Sequence, residues 1–482
     1  MGAVVEIEAG RLQRLSGFLE SVTPILALQL ARAVEIDRLR GGPLPHDRIL
    51  EALRPRLREA SQRLDRTFTP RRLVCSAFED LLVDSRLRKQ RGRIVRSSIA
   101  PVWAWLTRDL APAETEPALD AIREKLMNGG PDFAGAEIDV FQRTAAEAIL
   151  KAIPAFDTRD LRAADAVRAL GPDVAADAYD MARMMEMAGE VRALQRMLPR
   201  PMHAISDDDI ARIRAVFERL TQSHPDGASY IPFFVLARLD KPWEALRLAG
   251  ALSRKLDDVV LSRTDVGAIG ETLLSDLEDC VERLSKVRKD ELNAAYALAQ
   301  VSSFANISTG IVRELGIKRD GVWGRRLMQV RGGMSDQMER LIGRAPKDIA
   351  VTLPTARRGG FGLSAKRRMP DLMRTLDPVK AAKAIEMAKL IAGSRPHGTA
   401  GAFAGLLKQV DAQVSKSLRS YTHDLADEVH GLPAHGQASA AKFVDQAVAL
   451  TAVLDGNAEA DTLRRRVQAA LILAEPPGEM VA

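Results

Sequence analysis

The sequence predicts an all-α protein of two to three domains, built as multi-helix bundles or an irregular helical array. Three observations carry that expectation. Apolar residues recur at steps of three and four through nearly every segment, the period of a half-buried helix. No strand-like alternation separates those segments, so a nucleotide-binding α/β sheet is not expected. Aromatic residues make up only 4% of the chain, which is scarce for strands that favour them.

The elements follow in order. Leu12, Leu15, Leu19 and Val22 set the first helical spacing, and Ile25, Leu28 and Leu39 extend it past Pro24, where a break or kink is expected. Ile49, Leu50, Leu53, Leu57, Ala60 and Leu64 mark a second helix with Pro55 inside it. The stretches "RRLVCSAFEDLLVD" and "GRIVRSSIAPVWAWLTRDL" predict two more, with Trp103 and Trp105 as core. "EPALDAIREKLMNGG" ends on the glycines expected after a helix C-terminus. Further helices are predicted over 136–152, 158–170 and 174–197. Two prolines in "LPRPMHAI" favour an extended connector. Ser206 and Asp207 to Asp209 then supply a cap and the negative charge that a helix start favours. A short helical pair is expected around 233–239 and 243–252.

Leu273, Leu277, Cys280, Leu284 and Val287 keep a strict four-three-four-three spacing, and the stretch 266–315 predicts one long helix or two joined ones. Two uses fit that seam. It is a coiled-coil face for a homodimer, or it is a helix packed inside its own bundle, which is preferred because a seam needs three or four clean heptads. Glycine-terminated helices are predicted from Asp377 and from Thr399, followed by two more over 442–454 and 461–473. The resulting organisation is an N-terminal helical domain over 1–200, a central one over 205–343, a basic linker over 344–370, a C-terminal helical domain over 371–474 and a tail over 475–482.

Composition bounds the function. A chain of 482 residues can bury cores large enough to need neither metal nor disulfide. Cys75 and Cys280 lie far apart and form no secreted-type framework. The start lacks a basic n-region and a continuous apolar run, so no signal peptide is expected, and no apolar run approaches the ~20 residues that span a bilayer. A cytoplasmic protein is expected. The excess of arginine over lysine and the abundance of alanine suggest a GC-rich bacterial source. The net charge of +6 is small for the length, so local clusters matter more than the total.

Three clusters are candidates. The stretch "RRGGFGLSAKRR" holds Arg357, Arg358, Lys366, Arg367 and Arg368 without an acid. Its glycines do not fit the spacing of a phosphate-binding P-loop. It reads as a solvated loop or as a mobile arm for a polyanion, with Phe361 available to stack on a base or dock on a protein. In "RLRKQRGRIVR", Arg86, Lys89, Arg93 and Arg96 would share one helix face and could follow a phosphate backbone. The third cluster, His423, Asp427 and His430, would share a face and could converge on zinc or iron, though the spacing matches no established motif.

No nucleophile elbow or other catalytic signature appears. The expected role is therefore a non-catalytic scaffold or adaptor that binds another macromolecule and needs no cofactor. Protein-interface candidates are Leu273, Leu277, Leu284 and Phe361. The alternatives are a nucleic-acid-binding protein using 86–96 and 357–368, and a metal-dependent hydrolase centred on His423, Asp427 and His430.

Overall fold

The computed structural model describes residues 18–19, 22–39, 41–67, 69–157, 160–253, 267–314, 321–358, 367–430, 432 and 436–474. The protein is all-α, a multi-helix array with two very short pairs of strands among the described residues. In chain order the first helices are α1 (Pro24–Leu39), α2 (His46–Thr67), α3 (Pro70–Cys75), α4 (Ile99–Trp105), α5 (Pro112–Gly129), α6 (Gly135–Ala152), α7 (Ala164–Leu170), α8 (Pro172–Glu186) and α9 (Ala188–Met197). Next come α10 (Asp207–Ser223), α11 (Pro225–Ala228), α12 (Ile231–Arg238) and α13 (Ala245–Ser253). The remainder are α14 (Ala268–Ser285), α15 (Ala294–Glu314), α16 (Val322–Ile342), α17 (Ala345–Val351), α18 (Pro378–Ser394), α19 (Ala404–His430), α20 (Gln437–Leu454) and α21 (Asn457–Ala474). By compactness the chain forms two units, one of residues 1–199 with 215–234, the other of 200–214 with 235–482.

In the first unit, α1 begins at Pro24, where a missing N–H costs nothing. It packs on α2 through Ala27, Val34, Ile49 and Leu53. Further along, α6 lies against α8, and Trp103 stacks on Phe141 at 5.4 Å between ring centres. Trp105 is buried, so both tryptophans belong to the packed interior around α4. Helix α8 is largely enclosed. Pro172 starts it, and alanines at 175, 176, 178 and 182 are buried along it, so neighbouring backbones can approach closely. Two aspartates, Asp177 and Asp180, are fully buried on this helix.

Residues 84–93 correct the expectation of a cationic helix face. Arg86, Lys89, Arg93 and Arg96 do not share one, because this stretch is irregular. It joins the two-residue strands β1 (Leu82–Val83) and β2 (Ile94–Val95), which pair in parallel. Gly92 shows why a helix is excluded. Its φ is +71°, and a Cβ there would sit 2.6 Å from the Phe233 ring. Only glycine meets both demands without strain.

The second unit is a layered helical array. Helix α14 packs on α15 and α16, α15 on α18, α18 on α20, and α19 on α17 and α21. The seam predicted over 266–315 is two helices, not one. Asn293 separates them: its Oδ1 accepts from the Tyr296 N–H at 3.0 Å, the contact that starts a new helix. At the other side of the gap, the Arg340 guanidinium donates to the Leu284 and Val287 carbonyls at 2.6 and 3.0 Å and closes the end of α14.

Leu273, Leu277 and Leu284 have no exposed surface within this single chain. As interface candidates they are corrected to core, since a side chain already enclosed by its own unit has no surface to offer a partner. Replacing Leu277 with Ala is expected to lower the unfolding free energy by about 3 kcal/mol through lost burial and the cavity left behind. Denaturant unfolding measures this. A variant of unchanged stability but halved mass in light scattering would return Leu277 to an interface.

Candidate functional site

Residues 344–358 and 367–370 are not a free basic loop. Helix α17 is followed by an antiparallel hairpin of β3 (Thr355–Arg358) and β4 (Arg367–Pro370). Its base is fixed: Leu353, Pro354, Pro370 and Leu372 are buried, the Asp371 N–H donates to the Pro354 carbonyl at 2.9 Å, and β4 lies on α19. The register sets Arg357 opposite Arg368 and Arg358 opposite Arg367. Two successive rungs therefore carry arginine on both strands. Arg357 and Arg368 are exposed, and among the described residues neither side chain has an ion-pair partner. Lys366 and Phe361 lie outside the described residues.

The cluster over 86–96 is divided between interior and surface. Asp177 Oδ1 accepts from Arg86 Nη1 and from Lys89 Nζ, both at 2.7 Å. Asp177 Oδ2 accepts from the Ser98 hydroxyl at 2.6 Å and the Val95 N–H at 3.2 Å. Asp180 Oδ2 accepts from Lys89 Nζ at 2.6 Å and the Gly92 N–H at 3.1 Å, and its Oδ1 takes the Tyr230 hydroxyl at 2.6 Å. Arg91 adds a cationic lid, with its guanidinium 5.4 Å from the Phe156 ring centre and 6.0 Å from that of Tyr230. All four carboxylate oxygens are thus satisfied. A phosphate would have to displace buried carboxylates to reach Arg86 or Lys89. Arg93 is half-buried and engaged, while Arg96 is exposed and pairs loosely with Asp84 at 3.2 Å.

Burial pushes the Asp180 carboxyl upward, against the pull of Lys89 and the Tyr230 hydrogen bond. Burial, with the Asp180 charge beside it, likewise pushes the Tyr230 phenol well above its ordinary value. A raised phenol contributes stability that is fully present below the unfolded value of 10.0 and is lost as pH rises through the folded one. Urea midpoints should therefore fall as pH climbs above about 10, and Tyr230→Phe should show a shallower fall. An equal fall in both proteins would assign the alkaline loss elsewhere.

These inaccessible carboxylates can hold a loop but cannot touch a substrate. Burial also pushes the Cys75 thiol up to about 12 and that of Cys280 to about 11, so neither is a thiolate at neutral pH. The trio on α19 is corrected as well. His423, Asp427 and His430 are all exposed, and His430 Nδ1 is 3.3 Å from the Ala470 carbonyl, to which it can only donate. From His423 to His430 the helix rises about 10 Å, so three ligands from this one element do not meet. Among the described residues, no three His, Cys, Asp or Glu side chains are placed to hold a metal ion. None of the described helices is long and apolar enough to cross a membrane.

Sequence reasoning passed over Asp177, Asp180, Arg91 and Tyr230. A signal existed: two acids three residues apart, hence on one helix face, inside the otherwise alanine- and methionine-rich stretch "AADAYDMARMM". No family model matches this chain, and comparison with the curated proteins and with the solved structures gave no match.

Proposed function

We propose that this chain is a non-catalytic helical scaffold whose bound macromolecule is a nucleic acid, contacted at its phosphates by the β3–β4 hairpin. The observation that carries the reading is the pair of arginine rungs, Arg357 with Arg368 and Arg358 with Arg367. Like charges directly opposite one another destabilise a sheet pair. Phosphates would relieve that repulsion, and arginine forks suit phosphate oxygens geometrically. A two-stranded ribbon also has the width that the major groove of duplex DNA admits.

The reading gives no role to Arg86 and Lys89 beyond holding their loop. It places the protein in the cytoplasm, with its helices as the rigid base on which the hairpin stands. Fluorescence anisotropy with labelled duplex DNA, single-stranded DNA and RNA tests it, using wild type beside the variant Arg357→Gln/Arg358→Gln/Arg367→Gln/Arg368→Gln. Salt-dependent binding that the variant loses supports the proposal. Wild type that binds none of the three ends it.

A further inference from the structure

The first unit contains an open cleft of about 460 Å³ between the start of α3 and the segment after β2. Its size falls within the range of small-ligand sites, roughly 300–1,000 Å³. Arg71, Arg72 and Arg96 line it, with Glu79 as the acid among the lining residues. Ser97, an exposed residue, also borders it, and Leu82 and Ile99 supply apolar wall.

The buried clasp explains why Arg96 and Ser97 stand where they do. Asp177 Oδ2 holds the Val95 N–H on one side of them and the Ser98 hydroxyl on the other. The two residues between those anchors are exposed. A short span pinned at both ends by one carboxylate is preorganised, so little ordering remains to oppose binding. The Arg96–Asp84 pair does not block the site. Both side chains are largely exposed, and such pairs contribute only about 0–1 kcal/mol. A doubly charged phosphate accepting from the same guanidinium is a stronger partner. Cys75 lies in the wall of the cleft, and its neutral thiol adds no competing negative charge.

We propose that this cleft binds a small phosphate monoester. Arg71, Arg96 and the Ser97 hydroxyl hold the phosphate, and the organic part lies against Leu82 and Ile99. The cleft is concave and small, which favours a compact ligand over a nucleic-acid backbone.

Isothermal titration with adenosine 5′-monophosphate, ribose 5-phosphate, inorganic phosphate and adenosine tests this, alongside duplex DNA. Saturable binding is expected for at least one monoester, tighter than for inorganic phosphate and absent for adenosine. Arg96→Gln and Arg71→Gln should each weaken it by about tenfold or more, the cost of one charge-assisted contact, with unchanged melting of the free protein. The hairpin variant should bind the monoester as wild type does, which separates this site from the proposed nucleic-acid contact. The proposal is overturned if neither monoester binds, if both arginine variants keep full affinity, or if Arg96→Gln weakens only duplex DNA. Should either variant melt early, Ser97→Ala, which alters an exposed hydroxyl, must still weaken the monoester; full affinity there also overturns the proposal.

Discussion

Asp177→Ala should remove about 3–5 kcal/mol of unfolding free energy, the penalty for stranding a buried charge. The stranded group is Arg86. Its side chain is only 8% exposed, and without Asp177 it keeps two backbone carbonyls, those of Arg93 and Asp173. Lys89 suffers less because it retains Asp180. The Val95 N–H and Ser98 hydroxyl also lose their acceptor, which adds to the cost. Two further variants separate charge from packing. Asp84→Ala breaks the exposed pair with Arg96 and should change stability by less than about 1 kcal/mol. Adding Arg86→Met to Asp177→Ala should restore part of the loss, because two apolar partners leave no buried charge behind. Urea unfolding of wild type, these three variants and Arg86→Met alone closes the Asp177–Arg86 cycle and measures the exposed pair beside it. An Asp177→Ala protein within half a kcal/mol of wild type would mean that the loop is held by its neighbours and that the clasp is incidental.

How much of this was legible from sequence depends on the range of the forces involved. The helices were legible because burial on a single face writes its own period, as at Leu273, Leu277 and Leu284. The break between α14 and α15 was less so. It turns on one Asn293 side chain reaching the Tyr296 amide, and the apolar spacing runs on across it. The stretch from Arg86 to Arg96 misled for a different reason. Its cations fall at steps of three and four, yet no helix forms. The left-handed Gly92, and carboxylates on a helix more than 75 residues later in the chain, outweigh the local pattern. The hairpin was hidden because its strands, "TARR" and "RRMP", show little apolar alternation and several arginines. Their pairing is specified by the buried base at Pro354 and Pro370 and by the seat on α19. For the candidate site, the residue types were legible and their arrangement was not. The five cations could be counted, but the opposition of two arginine rungs exists only once the register is known.

That opposition makes the second large effect calculable. If Arg357 and Arg368, which share one face of the hairpin, each meet a phosphate of duplex DNA, counterion release gives a slope of roughly −1.8 in log affinity against log salt. Raising salt from about 50 to 200 mM should then weaken binding by about 12-fold from the hairpin alone. The fourfold glutamine variant should lose that part of the slope. Its stability should move the other way, because removing two like-charged rungs relieves about 0.2–1 kcal/mol each. Weaker binding joined to equal or greater stability is the signature of charges kept for a partner. A structural hairpin predicts the reverse: the same binding, with any change confined to the unfolding curve. Anisotropy at four salt concentrations, with urea unfolding of the same two proteins, distinguishes these outcomes. If the variant keeps the wild-type slope, the hairpin does not contact the phosphates. Arg86 and Lys89 could not then take its place, since the Asp177–Asp180 clasp already holds both of them in the interior.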